Sequence, residues 1–434
     1  MMKTAVKTIA MAASIVGLLG TAQAATREIN IYGASAQYLY WNDAADDFLT
    51  AKGCSSVSQA QDSSKKHGIT RGLGCTQFGG DDVIIRYSAK ASFESVRSLK
   101  GTTNPDSCGS AYERKMADSV SNPNNLTCKR VHLGASDVAG ESFVQSSSGQ
   151  KFGPLGGGYV SYHLTGEDAS GLKSDNPLVV PFGFFVNNAV TARKCASTAP
   201  NFGAYCASDT DCGGAAGSCL AAATIDNITR LQAVQIFSAS VSDWSDFGAY
   251  FTAQPIVACL RHAGSGTAAA LDWTVMKGNG WGYPLYDEEI DGAFYFNESS
   301  TDLMKCVNGN DPNNPNGSAI GAIGYADADQ TIGTPGTSQN VKAIRYNGVW
   351  PSRYALRNGE YDFWTTQWVY QDENALTTAQ KAVVNALISY ASDPTKLPTG
   401  KRKWWATKDE MKFFRANDPD FVMYQGGAAN PQTP

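Results

Sequence analysis

The chain has 434 residues, of which 42% are hydrophobic and 17% are charged, and its formal net charge is −5. This composition provides enough apolar residues for a packed core and too few charges for a disordered polyelectrolyte. A net negative chain whose longest Lys/Arg run is three residues is also a poor candidate for non-specific nucleic-acid binding.

The first 24 residues have the pattern of a secretory signal peptide. Lys3 and Lys7 supply the positive start, the apolar run 9–19 follows, and the motif 22–24 predicts cleavage after Ala24. The apolar run is shorter than the roughly 20 residues that a transmembrane helix needs. We therefore expect an exported protein, periplasmic or secreted, whose net charge is −7 once these two lysines are removed.

Short apolar strands alternate with helical segments and glycine turns, which is the pattern of an α/β protein. The predicted strands are 28–32, 83–87, 130–133, 178–187, 256–260, 321–325, 341–345 and 363–370. Helices are predicted at about 38–51, at 229–237, from the end of the loop 261–267 to about 277, and at 377–392. Segment 178–187 is nearly all apolar, as expected of a strand that is buried on both faces.

Ten cysteines, an even number, predict disulfides in an exported chain. Most lie in polar, glycine-rich segments that are typical of inserts rather than core, namely 53–80, 102–128 and 195–219. A zinc knuckle is the alternative in 195–219, but that segment lacks a CxxC pair and a nearby histidine, which favours disulfides. We expect the pairs Cys54–Cys75, Cys108–Cys128 and Cys259–Cys306, and the pairing among Cys195, Cys206, Cys212 and Cys219 stays open.

Three strand-to-helix junctions, at 33–37, 134–137 and 264–267, combine small residues with hydroxyl groups. Small residues let a ligand approach the backbone, and the N–H groups at a helix start favour an anion. Arg261 adds a planar fork that suits a tetrahedral oxyanion. Asp137 would repel an anion unless the ligand carries a proton that the carboxylate can accept, as hydrogen phosphate does and sulfate does not. Glycine turns with Ser/Thr caps, and a solvated aspartate at a helix start, remain the ordinary structural alternative for each junction.

The order of these segments resembles the periplasmic phosphate-binding proteins of ABC transporters, in the type II periplasmic binding protein superfamily. The most specific matches are the Ile-Phe…Asp-Trp-Ser pattern of 236–245 and the Arg-x-x-Gly-Ser-Gly-Thr loop of 261–267. The resemblance covers the chain from Ile29 to about Tyr370. Its other segments are 29–36, 87–92, 134–137, 321–325, 348–351 and 359–361.

This resemblance implies an α/β fold of two lobes, each a mixed sheet flanked by helices, with the anion between them and two hinge crossovers joining them. The implied division is a signal peptide at 1–24, a first lobe at 25–183, a second lobe at 184–359 with the cysteine-rich insert 195–219, a return to the first lobe at 360–425, and a disordered tail at 426–434.

Carried across residue by residue, the resemblance implies a phosphate site built from both lobes. The implied ligands are Gln37 and Tyr38 through backbone N–H groups, Ser92 as a hydroxyl donor, Asp137 as the acceptor of the phosphate proton, and Arg261, Ser265, Gly266 and Thr267 from the second lobe.

Three places depart from the family pattern, and in one of them Ala91-Ser92-Phe93 replaces a glycine/serine-rich turn. Ala263 stands where an aspartate usually orients the arginine, which predicts that Arg261 is less restrained. Gln37 stands where threonine is usual. These departures bear on affinity and on discrimination between oxyanions more than on oxyanion binding itself.

The resemblance therefore implies a solute-binding protein that delivers phosphate, or a related tetrahedral oxyanion, to a membrane ABC permease. We expect a monomer without cofactor, metal or enzymatic activity. The alternative is a secreted or cell-surface protein that uses the same fold for adhesion or assembly, which the inserts and Ala263 favour. A hydrolase is disfavoured because there is no GxSxG motif and the histidines have neither HxH nor HxxxH spacing; they are His67, His132, His163 and His262.

Overall fold

A computed structural model describes residues 24–150, 159–277, 284–288, 290, 293–309, 320–330 and 340–424 of the protein. Apart from Ala24, the predicted signal peptide lies outside the described residues, and so does the predicted tail 426–434. None of the helices within these ranges is long and apolar enough to cross a bilayer.

Strands and helices alternate along the described residues, as the sequence predicts. In chain order the strands are β1 (Thr26–Gly33), β2 (Ser56–Gln61), β3 (His67–Cys75), β4 (Asp81–Ala89), β5 (Ser107–Cys108), β6 (Ser110–Ser119), β7 (Asn122–Arg130), β8 (Leu133–Ser136), β9 (Ser146–Gln150), β10 (Tyr159–His163), β11 (Lys173–Asp175), β12 (Leu178–Asn187), β13 (Thr191–Ala192), β14 (Ala223–Thr224), β15 (Asn227–Ile228), β16 (Val257–Arg261), β17 (Phe294–Asn297), β18 (Ala322–Asp327), β19 (Val341–Tyr346), β20 (Trp364–Thr366), β21 (Trp368–Gln371), β22 (Ala406–Thr407), β23 (Phe413–Phe414) and β24 (Met423–Tyr424). The α-helices are α1 (Tyr38–Ala51), α2 (Phe93–Leu99), α3 (Arg230–Phe237), α4 (Gly266–Leu271), α5 (Ser300–Val307), α6 (Arg353–Arg357) and α7 (Thr378–Ser392). A π-helical segment, Asp272–Met276, continues α4 to the predicted end.

The first sheet has seven strands in the order β11-β21-β8-β1-β4-β3-β2. At its centre β1 is parallel to both β4 and β8, so the carboxyl ends of these strands lie at one edge. Helices α1 and α7 pack against each other through Phe48 and Tyr390, whose rings meet edge-on with their centroids 5.6 Å apart. We call this sheet, with α1, α2 and α7, the first lobe.

The expectation that residues 53–80 form an insert outside the core is wrong. The segment folds as the hairpin β2–β3, which pairs with β4 and extends the first sheet. The disulfide Cys54–Cys75 closes the base of this hairpin. Because strands at a sheet edge carry polar residues on their solvent-facing side, their composition resembles that of a loop. Residues 102–128 do form a small separate sheet, β5-β6-β7.

The second sheet has eight strands, centred on β12, with the order β15-β19-β12-β18-β16-β17 and with β20 and β22 also paired to β12. All ten residues of β12 are buried, as the apolar segment 178–187 predicts. Trp244 of the Asp-Trp-Ser pattern is buried here, and its indole donates to the carbonyl of Gly321 at 2.9 Å. We call this sheet, with α3, α4, α5 and α6, the second lobe.

The chain crosses between the two sheets at two adjacent places, and it returns to the second sheet once more between α7 and β22, which pairs with β12. The first crossover joins β11 to β12 through residues 176–177, and the second joins β20 to β21 through Gln367. The prediction of one strand over 363–370 is therefore wrong, because β20 pairs with β12 and β21 pairs with β8. Asn176 Nδ2 donates to the carbonyl of Gln367 at 2.7 Å, which ties the crossovers together. The two mixed α/β lobes confirm the predicted fold class, and these two adjacent crossovers stand where the predicted hinge crossovers are expected.

Eight of the ten cysteines form four disulfides. The pairs Cys54–Cys75 and Cys259–Cys306 are confirmed, and the open pairing is resolved as Cys195–Cys212 and Cys206–Cys219.

The predicted pair Cys108–Cys128 is wrong for this structure, in which both residues are thiols. Cys108 on β5 lies opposite Ser110 of β6, whereas Cys128 on β7 lies opposite Lys115 of β6. The two cysteines therefore do not flank the same residue of β6. Their thiols are nevertheless close enough to hydrogen-bond, and burial raises the pKa of Cys108 to about 11.

Candidate functional site

The eight residues predicted to bind phosphate are all buried where the two lobes meet. They come from the ends of strands and the starts of helices, which is where parallel strands collect ligand-binding loops. Gln37 and Tyr38 lie at the start of α1, Ser92 precedes α2, Asp137 follows β8, Arg261 ends β16, Ser265 precedes α4, and Gly266 and Thr267 begin it.

The first-lobe half of the site is a network around the Asp137 carboxylate. Gln37 Nε2 donates to Asp137 Oδ1 at 2.9 Å, and Ser92 Oγ donates to Asp137 Oδ2 at 3.1 Å. All three side chains are buried. Because each carboxylate oxygen has two lone pairs, Asp137 can still accept a further hydrogen bond from a ligand.

Burial raises the pKa of Asp137 to about 6, although the hydrogen bonds from Gln37 and Ser92 and the charge of Arg261 lower it. Above this pKa the carboxylate is ionised and can only accept hydrogen bonds. A buried anion is repelled by such a group unless it supplies a proton. Asp137 is therefore a buried hydrogen-bond acceptor whose pKa is raised to about 6.

The second-lobe half of the site is organised by Arg261. Its guanidinium donates to the carbonyls of Asn297 at 3.2 Å and Glu298 at 2.9 Å, and to Ser300 Oγ at 3.2 Å. The expectation that Ala263 leaves the arginine less restrained is thus wrong, because backbone carbonyls of the β17–α5 connection hold it instead. A guanidinium has five N–H donors, so two remain for other acceptors.

The two halves touch at Gly266. A Cβ atom on this residue would lie 2.3 Å from Ser92 Oγ and 2.7 Å from Asp137 Cβ, so only glycine fits between the lobes here. A Cβ atom on the neighbouring Gly264 would likewise lie 2.5 Å from the ring of Phe93, and the Gly264 carbonyl accepts from the Phe93 amide at 3.2 Å. The Gly-Ser-Gly-Thr loop is therefore docked directly on the first lobe.

Thr267 places a hydroxyl at the same contact. Its Oγ1 is buried and has no hydrogen-bond partner within the described ranges. A buried hydroxyl without a partner costs free energy, so its presence is typical of a group that meets a ligand.

The Tyr38 amide, which was predicted to bind the ligand, donates within the chain in this structure. The residues Ser35–Gln37 form a 3-10 turn before α1, and the Tyr38 amide donates to the carbonyl of Ser35 within it. The hydroxyl of Tyr38 donates to Gln61 Oε1 at 3.1 Å on the hairpin. Gln37 was expected to act through its backbone, whereas its described contact with the site is through the side chain.

Two residues that the sequence does not single out hold Gln37 in place. Trp41 Nε1 donates to Gln37 Oε1 at 3.2 Å, and Gln367 Nε2 donates to the same oxygen. The sequence marks Gln367 only as a polar residue after two threonines in the mixed segment 363–370. Its partner could not be read from that signal, because the two residues are 330 positions apart.

His262, next to the arginine, is a packing residue. It is buried, and its ring stacks on Tyr162 with centroids 4.7 Å apart, while Phe93 approaches it edge-on. The side chain of Arg261 instead reaches the carbonyl of Asn297. His262 is therefore a packed core residue in this structure and does not extend in the direction of the Arg261 side chain.

A cluster of cysteine sulfurs is the one group of potential metal ligands found among the described residues. The sulfurs of Cys195, Cys206 and Cys212 lie within 4.8 Å of one another. All three are in disulfides, which removes the thiolates that a metal would need.

The chain matches no family model, and no curated protein sequence matches it significantly. Solved structures that resemble it include a phosphate ABC transporter substrate-binding protein with bound phosphate from Clostridium perfringens, at 15% identity and a TM-score of 0.44, over 83% of this chain and 92% of that one. An ABC-type phosphate transport receptor from Vibrio cholerae is 13% identical with a TM-score of 0.40, over 83% and 93%. A phosphate-binding protein from Stenotrophomonas maltophilia is 12% identical with a TM-score of 0.42, over 85% and 84%. Solved structures to which the chain is similar are thus phosphate-binding proteins, at low identity and with TM-scores below 0.5.

Proposed function

We propose that this protein is an extracytoplasmic solute-binding protein that captures inorganic phosphate, or a related tetrahedral oxyanion, between its lobes for a membrane ABC permease. The observation that carries the proposal is the juxtaposition at Gly266. There a buried carboxylate of one lobe, Asp137, directly faces the loop of the other lobe that carries Arg261 and Thr267.

The two halves would divide the recognition of the ligand. Arg261 and the first-turn amides of α4 supply donors and positive potential for the charged oxygens. Asp137 accepts the proton that hydrogen phosphate carries at neutral pH. Sulfate has no such proton, so it would leave an ionised carboxylate facing an oxyanion. This arrangement predicts that phosphate is preferred over sulfate.

Binding by this route needs no bond to be made or broken. Closure of the lobes around the crossovers would desolvate the anion, and the closed form is favoured only by contacts that the ligand makes there. The four disulfides support the proposed location outside the cytoplasm, because disulfides persist in oxidising compartments.

Titration calorimetry of the protein with phosphate, arsenate and sulfate tests the proposal. We expect phosphate and arsenate to bind and sulfate to bind at least tenfold more weakly, since a charged hydrogen bond is worth about 1.5–3 kcal/mol. Arg261→Ala should reduce phosphate affinity by about 100-fold or more. Asp137→Asn should narrow the ratio of phosphate to sulfate affinity.

Asp418→Asn is the matched control for Asp137→Asn. Asp418 is an equally buried carboxylate, but it accepts from the Ala139 amide and Ser142 Oγ, away from the Gly266 contact. Asp418→Asn should leave the ratio of phosphate affinity to sulfate affinity unchanged. Absence of phosphate binding at millimolar concentration, with the protein folded, would overturn the proposal.

A second candidate function, adhesion or assembly, is favoured by one observation. Phe202 in the cysteine-rich segment 195–219 is 69% exposed, and Leu220 directly after the segment is 49% exposed. Large exposed apolar side chains are typical of contact surfaces. Phosphate binding in calorimetry separates this candidate from the first.

A further inference from the structure

Gln367 occupies the second crossover, between a strand of each lobe. Its amide donates to the carbonyl of Leu178 at 2.9 Å, and its carbonyl accepts from Asn176 Nδ2 at 2.7 Å. Both of these partners lie at or next to the first crossover. The backbone of Gln367 is therefore fixed by the two connections about which the lobes would rotate.

The side chain of Gln367 is fully buried and reaches into the candidate site. Its Nε2 donates to Gln37 Oε1, which also accepts from Trp41 Nε1 at 3.2 Å. Because both neighbours are donors, the side-chain amide of Gln37 must turn its oxygen, not its nitrogen, toward them. The other end, Nε2, is thereby presented to Asp137 Oδ1, 2.9 Å away.

The cost of this arrangement is visible on Gln367 itself. Its own Oε1 is buried without a hydrogen-bond partner within the described ranges. Leaving a buried amide oxygen unpaired destabilises the folded state, and an apolar residue would avoid this cost. A glutamine at this position is therefore explained by what its Nε2 does.

We propose that Gln367 is a positioning residue that couples the hinge to the anion site, by holding Gln37 so that its amide donates to Asp137. The proposal rests on the proposed function for its consequence in ligand binding. Rotation about the crossover would displace Gln367 from Gln37, because the residue lies between strands of different lobes. Opening the hinge would then remove a donor from the carboxylate that selects the ligand.

The first test is the affinity for inorganic phosphate of Gln367→Leu, which replaces the amide by an apolar group of similar size. We expect about tenfold weaker binding. Gln37→Leu should weaken binding at least as much, and the double variant should be no weaker than Gln37→Leu alone, because Gln367 acts only through Gln37. Additive losses in the double variant would overturn the proposal.

Asn176→Ala is the matched control, because Asn176 contacts the backbone of Gln367 but not Gln37. It should loosen the crossovers and lower the melting temperature without changing phosphate affinity by more than about twofold. An equal loss of affinity in Asn176→Ala and Gln367→Leu would show that only the rigidity of the crossover matters, and would overturn the proposal.

A second readout needs no ligand. The hydrogen bond from Gln37 lowers the pKa of Asp137, so Gln367→Leu should raise the pKa of that carboxyl, measured by ¹³C NMR during a pH titration. The other groups that act on Asp137, namely Ser92, Arg261 and Tyr87, are unchanged in the variant. Gln367→Met, which has no donor for Gln37 and adds no charge, should give the same direction if Gln367→Leu does not fold.

The outcomes separate the two proposals. A raised pKa of Asp137 in a protein that never binds phosphate would support the positioning role and overturn the proposed function. An unchanged pKa and unchanged affinity in a protein that binds phosphate would overturn the positioning role alone.

Discussion

The two halves of the candidate site are built in different ways. In the first lobe, side chains bond to side chains: Gln37, Ser92 and Asp137 form one buried network. In the second lobe, Arg261 is held largely by backbone carbonyls of a connection that a disulfide anchors close by. The first half can therefore be retuned by single substitutions, whereas the second depends on the path of the chain.

The largest effect that this comparison predicts concerns the disulfide of the second lobe. Replacing Cys259 and Cys306 by alanine should lower the free energy of unfolding by about 4 kcal/mol, because the bond closes a loop of 47 residues next to Arg261. Urea unfolding measures this effect. The Cys54 and Cys75 double alanine variant, whose loop spans 21 residues in the first lobe, should lose about 3 kcal/mol and is the comparison. We also expect phosphate affinity to fall more in the variant without Cys259–Cys306, because that disulfide anchors the connection that holds Arg261. Equal phosphate affinity in the two variants would contradict this expectation.

The next effect is the pH dependence that Asp137 gives to the first lobe. Its pKa is about 6 in the folded protein against 3.8 in the unfolded chain, so the folded state retains the proton longer. This group's contribution to stability is then full below about pH 4, is lost as the pH rises to about 6, and amounts to about 3 kcal/mol. Unfolding in urea between pH 4 and 8 should show this slope in the wild type and a flatter profile in Asp137→Asn. Parallel profiles would refute the assignment.

A smaller effect tests the contact between the halves. Gly266→Ala adds a methyl group against Ser92 and Asp137, and overpacking of this kind costs about 1–3 kcal/mol. We expect phosphate affinity to fall by about 5- to 100-fold, since closure would have to absorb this cost. Gly400→Ala is the control, because a Cβ there meets no atom within 4 Å. Unchanged affinity in Gly266→Ala would mean that the lobes do not close on this residue.

The smallest effect lies outside both halves, on the sheet β5-β6-β7. The thiols of Cys108 and Cys128 are close enough to hydrogen-bond, so a mild oxidant should join them and abolish their reaction with maleimide. Phosphate affinity should change by less than about twofold. A larger change would show that this sheet communicates with the site.

The sequence predicts more of the second half of the site than of the first. The loop 261–267 is a local pattern, and its arginine, glycines and threonine are found together as expected. The role of Gln37 depends on Gln367, and no local pattern reveals a hydrogen bond between residues so far apart in the chain. The carbonyls that replace the missing aspartate at Ala263 are invisible for the same reason, because any residue type can supply them.

The fold shows the same division. Apolar strands such as β12 and capped helices such as α7, with Thr377 as its N-cap, are predicted within one or two residues. The hairpin β2–β3 and the break in 363–370 are missed, because edge exposure and a crossover are properties of the assembled sheets. Composition cannot carry that information.

The cysteine-rich segment has a consequence for the order in which the protein matures. Its buried cluster consists of Cys195, Cys206, Cys212, Cys219 and a single alanine, Ala199, and Tyr205 packs on Tyr250 and Phe251, so the segment has little apolar burial apart from that contact. The two disulfides also overlap in sequence, since Cys206 lies inside the loop closed by Cys195 and Cys212. While these thiols are reduced, the segment lacks the disulfides that hold it together. We therefore expect it to stay unfolded until the disulfides form. Folding of this region is thus timed by the arrival of an oxidant rather than by the synthesis of the chain.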